Sequence, residues 1–309
     1  MISMIMKFIA VISSVFFCQS LSAMQCSLDS PFNKIQVKGS HNSYHQKPWI
    51  PISLGWNYSH PPLSEQFGKH KIRQIELDIH WDEEQGEINV HHVPMVDIGT
   101  SCKTLESCFE QMTSWSKINR NHEPILVLLD IKNSFSNEVR AKEYLNLIEQ
   151  HIGDYFDPQN LFVPDELKDN FTHLREAVMT KGWPSYRSMR GKFLFVLHTR
   201  GYLRSVYTKQ SSTLGGKLMF AESDGYSSYS AIIIKNDPIK QFDEIKSFVE
   251  QGFIVRTRAD AGLNYSPLRI EKAIQSGAQF ITTDFLQESS RGYFDLNSSA
   301  VFKCNFLSI

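Results

Sequence analysis

The chain has 309 residues, of which 41% are apolar, so it can bury a large core, and a single β/α barrel of about 250 residues would use nearly all of it. Its 32 basic and 33 acidic residues nearly cancel, which excludes a global electrostatic field that would attract nucleic acid or an anionic membrane. We therefore expect no nucleic-acid partner, and we expect any contact with lipid to be local.

The first 23 residues have the layout of a secretory signal. Lys7 precedes an apolar run from Phe8 to Phe17, and Leu21-Ser22-Ala23 provides the small residues at which cleavage occurs. A membrane anchor is the alternative, but the run is short for a bilayer and polar sequence follows it at once. We predict a signal peptide over residues 1–23, a mature chain over 24–309 without a transmembrane segment, and a secreted or periplasmic location.

Four cysteines remain after such cleavage: Cys26, Cys102, Cys108 and Cys304. An even number in an oxidising compartment predicts disulfides, with three pairings open. A bond between Cys102 and Cys108 would close a short surface loop, and one between Cys26 and Cys304 would join the two ends of the mature chain. Free buried thiols or a zinc site are the alternatives, although the spacing of Cys and His residues does not support zinc.

Short apolar runs alternate with helical patterns along the mature chain. The runs that predict strands are Ile35–Val37, Ile72–Ile79, Ile88–Val90, Ile125–Ile131, Lys192–Leu197, Ala231–Ile234, Phe253–Val255 and Gln279–Ile281. Helical periodicity is clear over Glu138–His151 and Lys240–Gln251. The alternation indicates an α/β fold in one domain, a single TIM-type (β/α) barrel. A doubly wound open sheet is the alternative, but no glycine-rich phosphate loop follows the first strand.

Several predicted strands end in carboxylates or amides. Glu76 and Asp78 alternate with Leu77, so both carboxylates face the same side of their strand. Asp130 ends another strand, and Asn42 follows the first one. Because the carboxyl ends of barrel strands meet at one face, these oxygens could converge on a hard cation, either Ca²⁺ or Mg²⁺. Salt bridges or helix caps are the alternative roles of such carboxylates.

Histidines and cations accompany these oxygens. His41 follows the first strand, and the pair His91-His92 follows the run Ile88–Val90. Two imidazoles from different strands suit a phosphodiester, because one can accept a proton or stabilise charge while the other protonates the leaving alkoxide. Lys132 follows Asp130 at a spacing of two, and Arg256 and Arg258 end a late strand, where they could hold a phosphate or form structural ion pairs with Asp260 or Asp284.

Together these motifs resemble the secreted calcium-dependent phosphatidylinositol-specific phospholipases C, within the barrel superfamily that includes glycerophosphodiester phosphodiesterases and sphingomyelinase D enzymes. The resemblance spans nearly the whole mature chain. It is carried by the segments 39–45 (GSHNSYH), 76–78 (ELD), 91–92 (HH), 130–132 (DIK), 182–184 (GWP), 189–192 (MRGK), 255–260 (VRTRAD) and 277–284 (GAQFITTD). It implies a phosphodiesterase barrel that cleaves phosphatidylinositol to diacylglycerol and a cyclic or linear inositol phosphate, through attack of the inositol 2-hydroxyl.

Residue by residue, the resemblance implies two catalytic histidines, His41 and His91, with His92 left open as the alternative to His91. It implies that Lys132 and Arg258 orient the head group. Four residues would hold Ca²⁺, with Mg²⁺ as the alternative ion: Asn42, Glu76, Asp78 and Asp130. Asp130 stands where relatives often carry Glu. The partner implied is a phosphatidylinositol-type lipid at a membrane surface, and we expect a monomer.

Two rival functions remain open from the sequence. A phosphodiesterase on the same barrel could act on glycerophosphodiesters or choline lipids, or a non-catalytic secreted protein could bind calcium and inositol lipids. The apolar residues of segment 49–58, just after His41, would favour a membrane substrate if they dip into lipid, or could equally cap the barrel as core: Trp49, Ile50, Ile52, Leu54, Trp56 and Tyr58.

Overall fold

The computed structural model describes residues 27–288, 292–296, 301–305 and 307. The predicted signal peptide and Cys26 lie outside these residues. The strands are β1 (Ile35–Ser40), β2 (Gln74–Asp82), β3 (Glu87–Val90), β4 (Ile125–Ile131), β5 (Phe193–His198), β6 (Met219–Ser223), β7 (Ile232–Ile234), β8 (Ile254–Arg258), β9 (Phe280–Thr283) and β10 (Phe302–Cys304).

Eight of these strands form a closed parallel barrel. Each barrel strand is hydrogen-bonded to the next in the order β1, β9, β8, β7, β6, β5, β4, β2, and the pairing of Gly39 with Gln74 joins β1 to β2 and closes the ring. The strands are nearly continuous apolar runs, as in β4, where Ile125–Leu129 is fully buried, because parallel strands in a barrel are covered on both faces. The predicted TIM-type fold is confirmed.

Helices cross between the barrel strands. They are α1 (Leu63–Gly68), α2 (Leu105–Ile118), α3 (Glu138–Tyr155), α4 (Pro164–Lys168), α5 (Leu174–Thr180), α6 (Tyr202–Gln210), α7 (Phe242–Glu250) and α8 (Pro267–Gln275), with 3-10 turns at Phe32–Lys34, Leu54–Trp56, Pro158–Asn160 and Arg187–Met189. Local sequence fixes several starts. The side chains of Thr104 and Ser107 form a reciprocal capping box that opens α2, and Asn137 caps α3.

Two strand assignments differ from expectation. The run Ile88–Val90 is a strand, β3, but it pairs antiparallel with β2 and lies outside the ring. Its place in the ring is taken by β6, Met219–Ser223, which the sequence analysis did not predict. The apolar stretch of β6 ends after Ala221, and Glu222 and Ser223 complete the strand as buried polar residues, so neither an apolar run nor an alternation reveals it.

The two ends of the described chain lie side by side. β10 pairs antiparallel with β1, with Cys304 opposite Ile35. The predicted disulfide between Cys102 and Cys108 is present, and Cys304 is also disulfide-bonded, although its expected partner Cys26 lies outside the described residues. Within the described ranges, no helix is long and apolar enough to cross a membrane.

Candidate active site

The strand register brings the predicted polar residues to one end of the barrel. Asp78 lies opposite Asp130 across β2 and β4, and Asp130 lies opposite His198 across β4 and β5. On the other side of the barrel, β1 lies next to β9, and the His41 backbone N–H donates to the Thr283 carbonyl at 3.3 Å. Residues from both ends of the sequence therefore meet at the carboxyl ends of the strands, as a barrel requires.

His41 is held between a carboxylate and a guanidinium. Its Nδ1 lies 2.8 Å from Asp284 Oδ1, and its Nε2 lies 3.1 Å from Arg258 Nη1. Because a guanidinium only donates, Nε2 accepts from Arg258 and the ring carries its proton on Nδ1, which donates to Asp284. Burial, followed by the charge of Arg258, lowers the pKa of His41 below its usual value of 6.5. The imidazole is therefore neutral at pH 7, with a lone pair on Nε2.

Asp284 is itself held by neighbouring groups. Its Oδ2 accepts from Arg258 Nη2 at 2.9 Å, and its backbone N–H donates to Asp260 Oδ1 at 3.0 Å. Burial opposes ionisation, but His41 and Arg258 hold the pKa of Asp284 well below its usual range. Burial and the charge of Asp284 raise the pKa of Asp260 to about 7. The sequence pattern suggests both aspartates only as ion-pair partners of the arginines, and the contact of Asp284 with His41 is seen only in the fold.

Asp78 has the opposite surroundings. It is buried, and neither of its carboxylate oxygens accepts a hydrogen bond of good geometry from the described residues. Lys132 Nζ lies 2.9 Å from Asp78 Oδ2 and 2.6 Å from Asp130 Oδ2. The ammonium lowers the pKa of Asp78, but burial outweighs it and raises that pKa to about 8. The ionised form of this buried carboxyl group needs a further cation beside it.

Glu76 pairs with Arg256 through one carboxylate oxygen. Burial alone would raise its pKa, yet Arg256 brings that pKa down to about 2. The other oxygen lies 3.9 Å from Nε2 of His198, whose Nδ1 donates to Glu222 Oε2 at 2.7 Å. Although burial disfavours its charged form, the pKa of His198 is raised by Glu222 and by Glu76. His198 and Glu222 were not among the predicted site residues.

The oxygen donors at this end of the barrel fit calcium. Ligand atoms of Glu76, Asp130 and His198 lie within 4.8 Å of one another, and Asp78 contributes two buried oxygens that accept no hydrogen bond of good geometry from the described residues. Asn42 is buried with a left-handed φ of 44° that Asn adopts more readily than most residues, and the next residue, Ser43, donates its backbone N–H to the Glu76 carbonyl at 2.9 Å. Carboxylate and amide oxygens suit a hard divalent ion. The individual ligands stay a prediction.

The register places His91 rather than His92 on the side of the carboxylates. His80 lies opposite Asn89, so alternation puts His91, two residues further along, on the same face as Asp78 and His80. The His91 ring stacks on the ring of His80 with centroids 4.0 Å apart, and its Nε2 is buried without a hydrogen-bond partner in the part of the chain that the structure describes. Burial lowers the pKa of His91. His92 instead contacts Asp97, through Nδ1 at 2.8 Å.

Solved structures of two bacterial phospholipases C have a similar barrel fold. A Ca²⁺-dependent phosphatidylinositol-specific phospholipase C from Streptomyces antibioticus is similar at a TM-score of 0.63 with 15% identity, covering 83% of this chain and 95% of its own. A calcium-dependent phosphoinositol-specific phospholipase C from a Pseudomonas species also gives 0.63 with 20% identity, covering 86% and 95% of the two chains. At these identities the likeness shows the fold. No curated protein matches the sequence significantly.

The sequence profile of one family covers most of the chain. The profile of Ca²⁺-dependent phosphoinositide phospholipase C matches residues 31–89 and 84–305. The match confirms the predicted enzyme class, a phosphoric diester hydrolase or lyase of this type, and its calcium cofactor, and it favours neither of the rival functions. The chain therefore belongs to the family of Ca²⁺-dependent phosphoinositide phospholipases C.

Proposed function

We propose that this phospholipase C cleaves a phosphatidylinositol-type lipid by attack of the inositol 2-hydroxyl on the neighbouring phosphorus, which releases diacylglycerol and forms a cyclic inositol phosphate. The observation that carries the proposal is the position of His41, whose Nδ1 lies 2.8 Å from Asp284 Oδ1 at the same barrel end as the buried Asp78. This arrangement combines a proton acceptor with a cation site, and an internal hydroxyl next to phosphorus needs both.

His41 is the proton acceptor in this proposal. Its Nε2 carries the lone pair, and Asp284 stabilises the positive charge that develops on the ring when the proton arrives. Arg258 donates to the same Nε2 in the absence of substrate, at 3.1 Å. When the head group binds, the Arg258 guanidinium can turn to the anionic phosphate, which frees Nε2 for the hydroxyl.

His91 is the general acid in the proposal. It faces the same side of β2 and β3 as Asp78, and its Nε2 is buried without a competing partner among the described residues. Burial lowers its pKa, whereas the anionic phosphodiester raises it on binding, because a nearby negative charge favours imidazolium. The protonated ring then donates to the glycerol oxygen as it leaves.

Asn42, Glu76, Asp78 and Asp130 are the proposed calcium ligands. Bound Ca²⁺ would lower the pKa of the inositol 2-hydroxyl and offset charge on the pentacoordinate phosphorus. Lys132 already lies against two of these carboxylates, at 2.9 Å and 2.6 Å. Together with Arg258, it supplies the positive charge that positions an anionic head group beside them.

An exposed apolar rim supports a membrane surface as the place of action. The segment that follows His41 exposes Trp49 (97%), Ile50 (73%), Ile52 (71%) and Leu54 (79%), whereas Trp56 and Tyr58 are partly buried. The four outer residues are proposed to enter lipid, and the two inner ones help cap the barrel. We expect Trp49→Ala to weaken binding to phosphatidylinositol vesicles about tenfold and to leave cleavage of a soluble inositol phosphodiester unchanged.

The location is also a proposal. We infer that residues 1–23 direct export to the periplasm or beyond and that residues 24–309 form one phosphodiesterase domain. The disulfide between Cys102 and Cys108 and the bonded Cys304 support an oxidising compartment. Mass spectrometry of the protein recovered from the host would give a first residue of Met24 if the signal is cleaved as proposed.

Phosphorus NMR of the chain with phosphatidylinositol vesicles tests the reaction. We expect a cyclic inositol phosphate signal with Ca²⁺ that disappears in excess chelator and falls about 10²- to 10⁴-fold in His41→Ala. The matched control is His173→Ala, because His173 is exposed at the start of α5. Only a linear phosphate from the earliest times would contradict attack by the inositol hydroxyl. Equal activity of His41→Ala and His173→Ala would contradict the role of His41.

A further inference from the structure

A second cluster of metal-ligating side chains lies beside the active site and has no role in the proposed cleavage of the lipid. His45, His92 and Asp97 bring their ligand atoms within 4.8 Å of one another. His45 and Asp97 are fully buried, and the His92 side chain is 24% exposed. His45 follows β1, whereas His92 and Asp97 belong to the loop after β3, so two separate segments meet at this point.

The hydrogen bonds of His45 leave a lone pair facing a carboxylate. His45 Nδ1 lies 3.0 Å from the Tyr58 carbonyl oxygen, which can only accept, so Nδ1 carries the ring proton. His45 Nε2 then presents a lone pair to both oxygens of Asp97, at 3.1 Å and 3.0 Å. The Nε2 lone pair of His45 and the Asp97 carboxylate both accept hydrogen bonds and neither donates. They can lie this close only if a positive species lies between them, either an additional proton on His45 or a metal ion.

The distances suit a metal ion that binds all three side chains. His92 Nδ1 lies 2.8 Å from Asp97 Oδ2, the same oxygen that His45 Nε2 approaches at 3.0 Å. Nitrogen and oxygen ligands about 2.0–2.1 Å from a tetrahedral Zn²⁺ are about 3.3 Å apart, close to these spacings. The bond from His45 Nδ1 to a backbone carbonyl is the outer contact that metal-bound histidines usually make.

The backbone holds these ligands in place. Val93 and Asp97 exchange backbone hydrogen bonds of 2.9 Å and 3.1 Å around a turn in which Met95 has a φ of 65°, and this turn brings His92 next to Asp97. The Gln46 N–H donates to the Gly99 carbonyl at 3.0 Å and ties the His45 segment to the same loop. A site fixed in this way loses little conformational entropy on binding an ion.

We propose that His45, His92 and Asp97 bind a first-row transition-metal ion, with Zn²⁺ as the expected occupant, separately from the calcium site. Two imidazoles and one carboxylate match zinc, and the partly exposed side of His92 leaves the fourth position to water. The ion would cross-link the segment that carries the apolar rim to the loop that carries His91. It would therefore position the proposed general acid without touching the substrate.

Metal analysis of the full chain tests this site without relying on activity. After equilibration with Zn²⁺ in excess Ca²⁺ and removal of free metal, the wild type should retain one Zn²⁺ per chain, and Co²⁺ should give the intense visible bands of a four-coordinate site. His92→Ala and Asp97→Asn should each weaken Zn²⁺ binding at least about tenfold. Zn²⁺ should raise the thermal midpoint of the wild type by about 5 °C or more and leave that of His92→Ala unchanged.

Two controls separate this site from its neighbours. His91→Ala removes the adjacent histidine, and Asp78→Asn alters the calcium site; both should retain Zn²⁺. A wild-type chain that retains no Zn²⁺ or Co²⁺ would overturn the proposal and assign the cluster to a hydrogen-bonded triad held by a proton. Retention of the ion by His92→Ala would overturn it as well. Neither result depends on whether the lipid reaction is correct.

Discussion

Asp284 and Asp78 are two aspartates with nearly the same burial and opposite ionisation. Their side chains are 2% and 1% exposed, yet the pKa of Asp284 lies well below its usual range whereas that of Asp78 is raised to about 8. Asp284 has His41, Arg258 and a backbone contact to Asp260, whereas Asp78 has one ammonium beside it and accepts no hydrogen bond of good geometry from residues 27–288 or the other described residues.

The difference divides the catalytic end of the barrel into two halves. The half on β1, β8 and β9 is complete as it stands, because each charge in it has a partner. The half on β2 and β4 holds carboxylates that cannot all be ionised together without a further cation, and a divalent ion would supply it. Burial sets the free-energy cost of ionising each carboxyl group. The hydrogen-bond and charge partners of the group decide whether it is ionised.

Asp284→Asn breaks the complete half and should have the largest effect. The amide can no longer stabilise the imidazolium of His41 or fix its tautomer, so we expect turnover of phosphatidylinositol to fall about 10²- to 10⁴-fold. Steady-state kinetics with saturating Ca²⁺ measures the turnover of phosphatidylinositol. Asp169→Asn, which alters an exposed partner of Lys181, is the matched control. If turnover of Asp284→Asn stays within twofold of the control, His41 does not depend on this carboxylate.

Asp78→Asn tests the incomplete half. Removing one of three carboxylates should weaken Ca²⁺ binding at least about tenfold, while His41 keeps its contacts with Asp284 and Arg258. Isothermal titration of Ca²⁺ into chelator-treated protein measures the affinity, and the chemical shifts of His41 report its surroundings. Unchanged affinity would place the ion away from Asp78.

The pH dependence of stability should show the same contrast with a smaller effect. In the metal-free fold the pKa of Asp78 rises from its ordinary 3.8 to about 8, so the folded chain holds a proton that the unfolded chain loses between these values. The contribution of this group to stability is full below the ordinary pKa and is lost as pH rises towards 8.

Thermal unfolding in chelator measures this effect. We expect the midpoint of the wild type to fall by a few degrees, on the order of 5 °C, between pH 5 and pH 8. The Asp78→Asn variant should show a flatter profile and a higher midpoint at pH 8. Parallel profiles of the two proteins would show that Asp78 ionises normally in the fold.

The sequence predicted most of the barrel and named residues in both halves of the candidate site. Apolar runs reveal strands such as β4 because both of its faces are buried, and the alternation of Glu76 with Asp78 places both carboxylates on one face. β6 escaped prediction because Glu222, which binds His198, interrupts its apolar pattern. The fold brings the predicted calcium ligands and His41 to the same end of the barrel. The individual roles of these residues remain predictions.

The sequence could not predict side-chain contacts that depend on closure of the barrel or on the conformation of loops. Asp284 follows His41 by 243 positions and meets it only because β9 closes against β1. Lys132, which is predicted to bind substrate, contacts Asp78 and Asp130. This contact depends on the conformation of a long flexible side chain, which the sequence does not specify. The cluster of His45, His92 and Asp97 depends on the turn around Met95, for which the sequence contains no regular pattern.

Anomalous diffraction from crystals of the chain grown with Ca²⁺ tests the central claim most directly. The account predicts one strong calcium peak bounded by Asn42, Glu76, Asp78 and Asp130, with the Lys132 ammonium moved away from Asp78 and the contacts of His41 with Asp284 unchanged. Asp78 still paired with Lys132, and no calcium peak beside it at saturating Ca²⁺, would contradict the claim that this half of the site is completed by the ion.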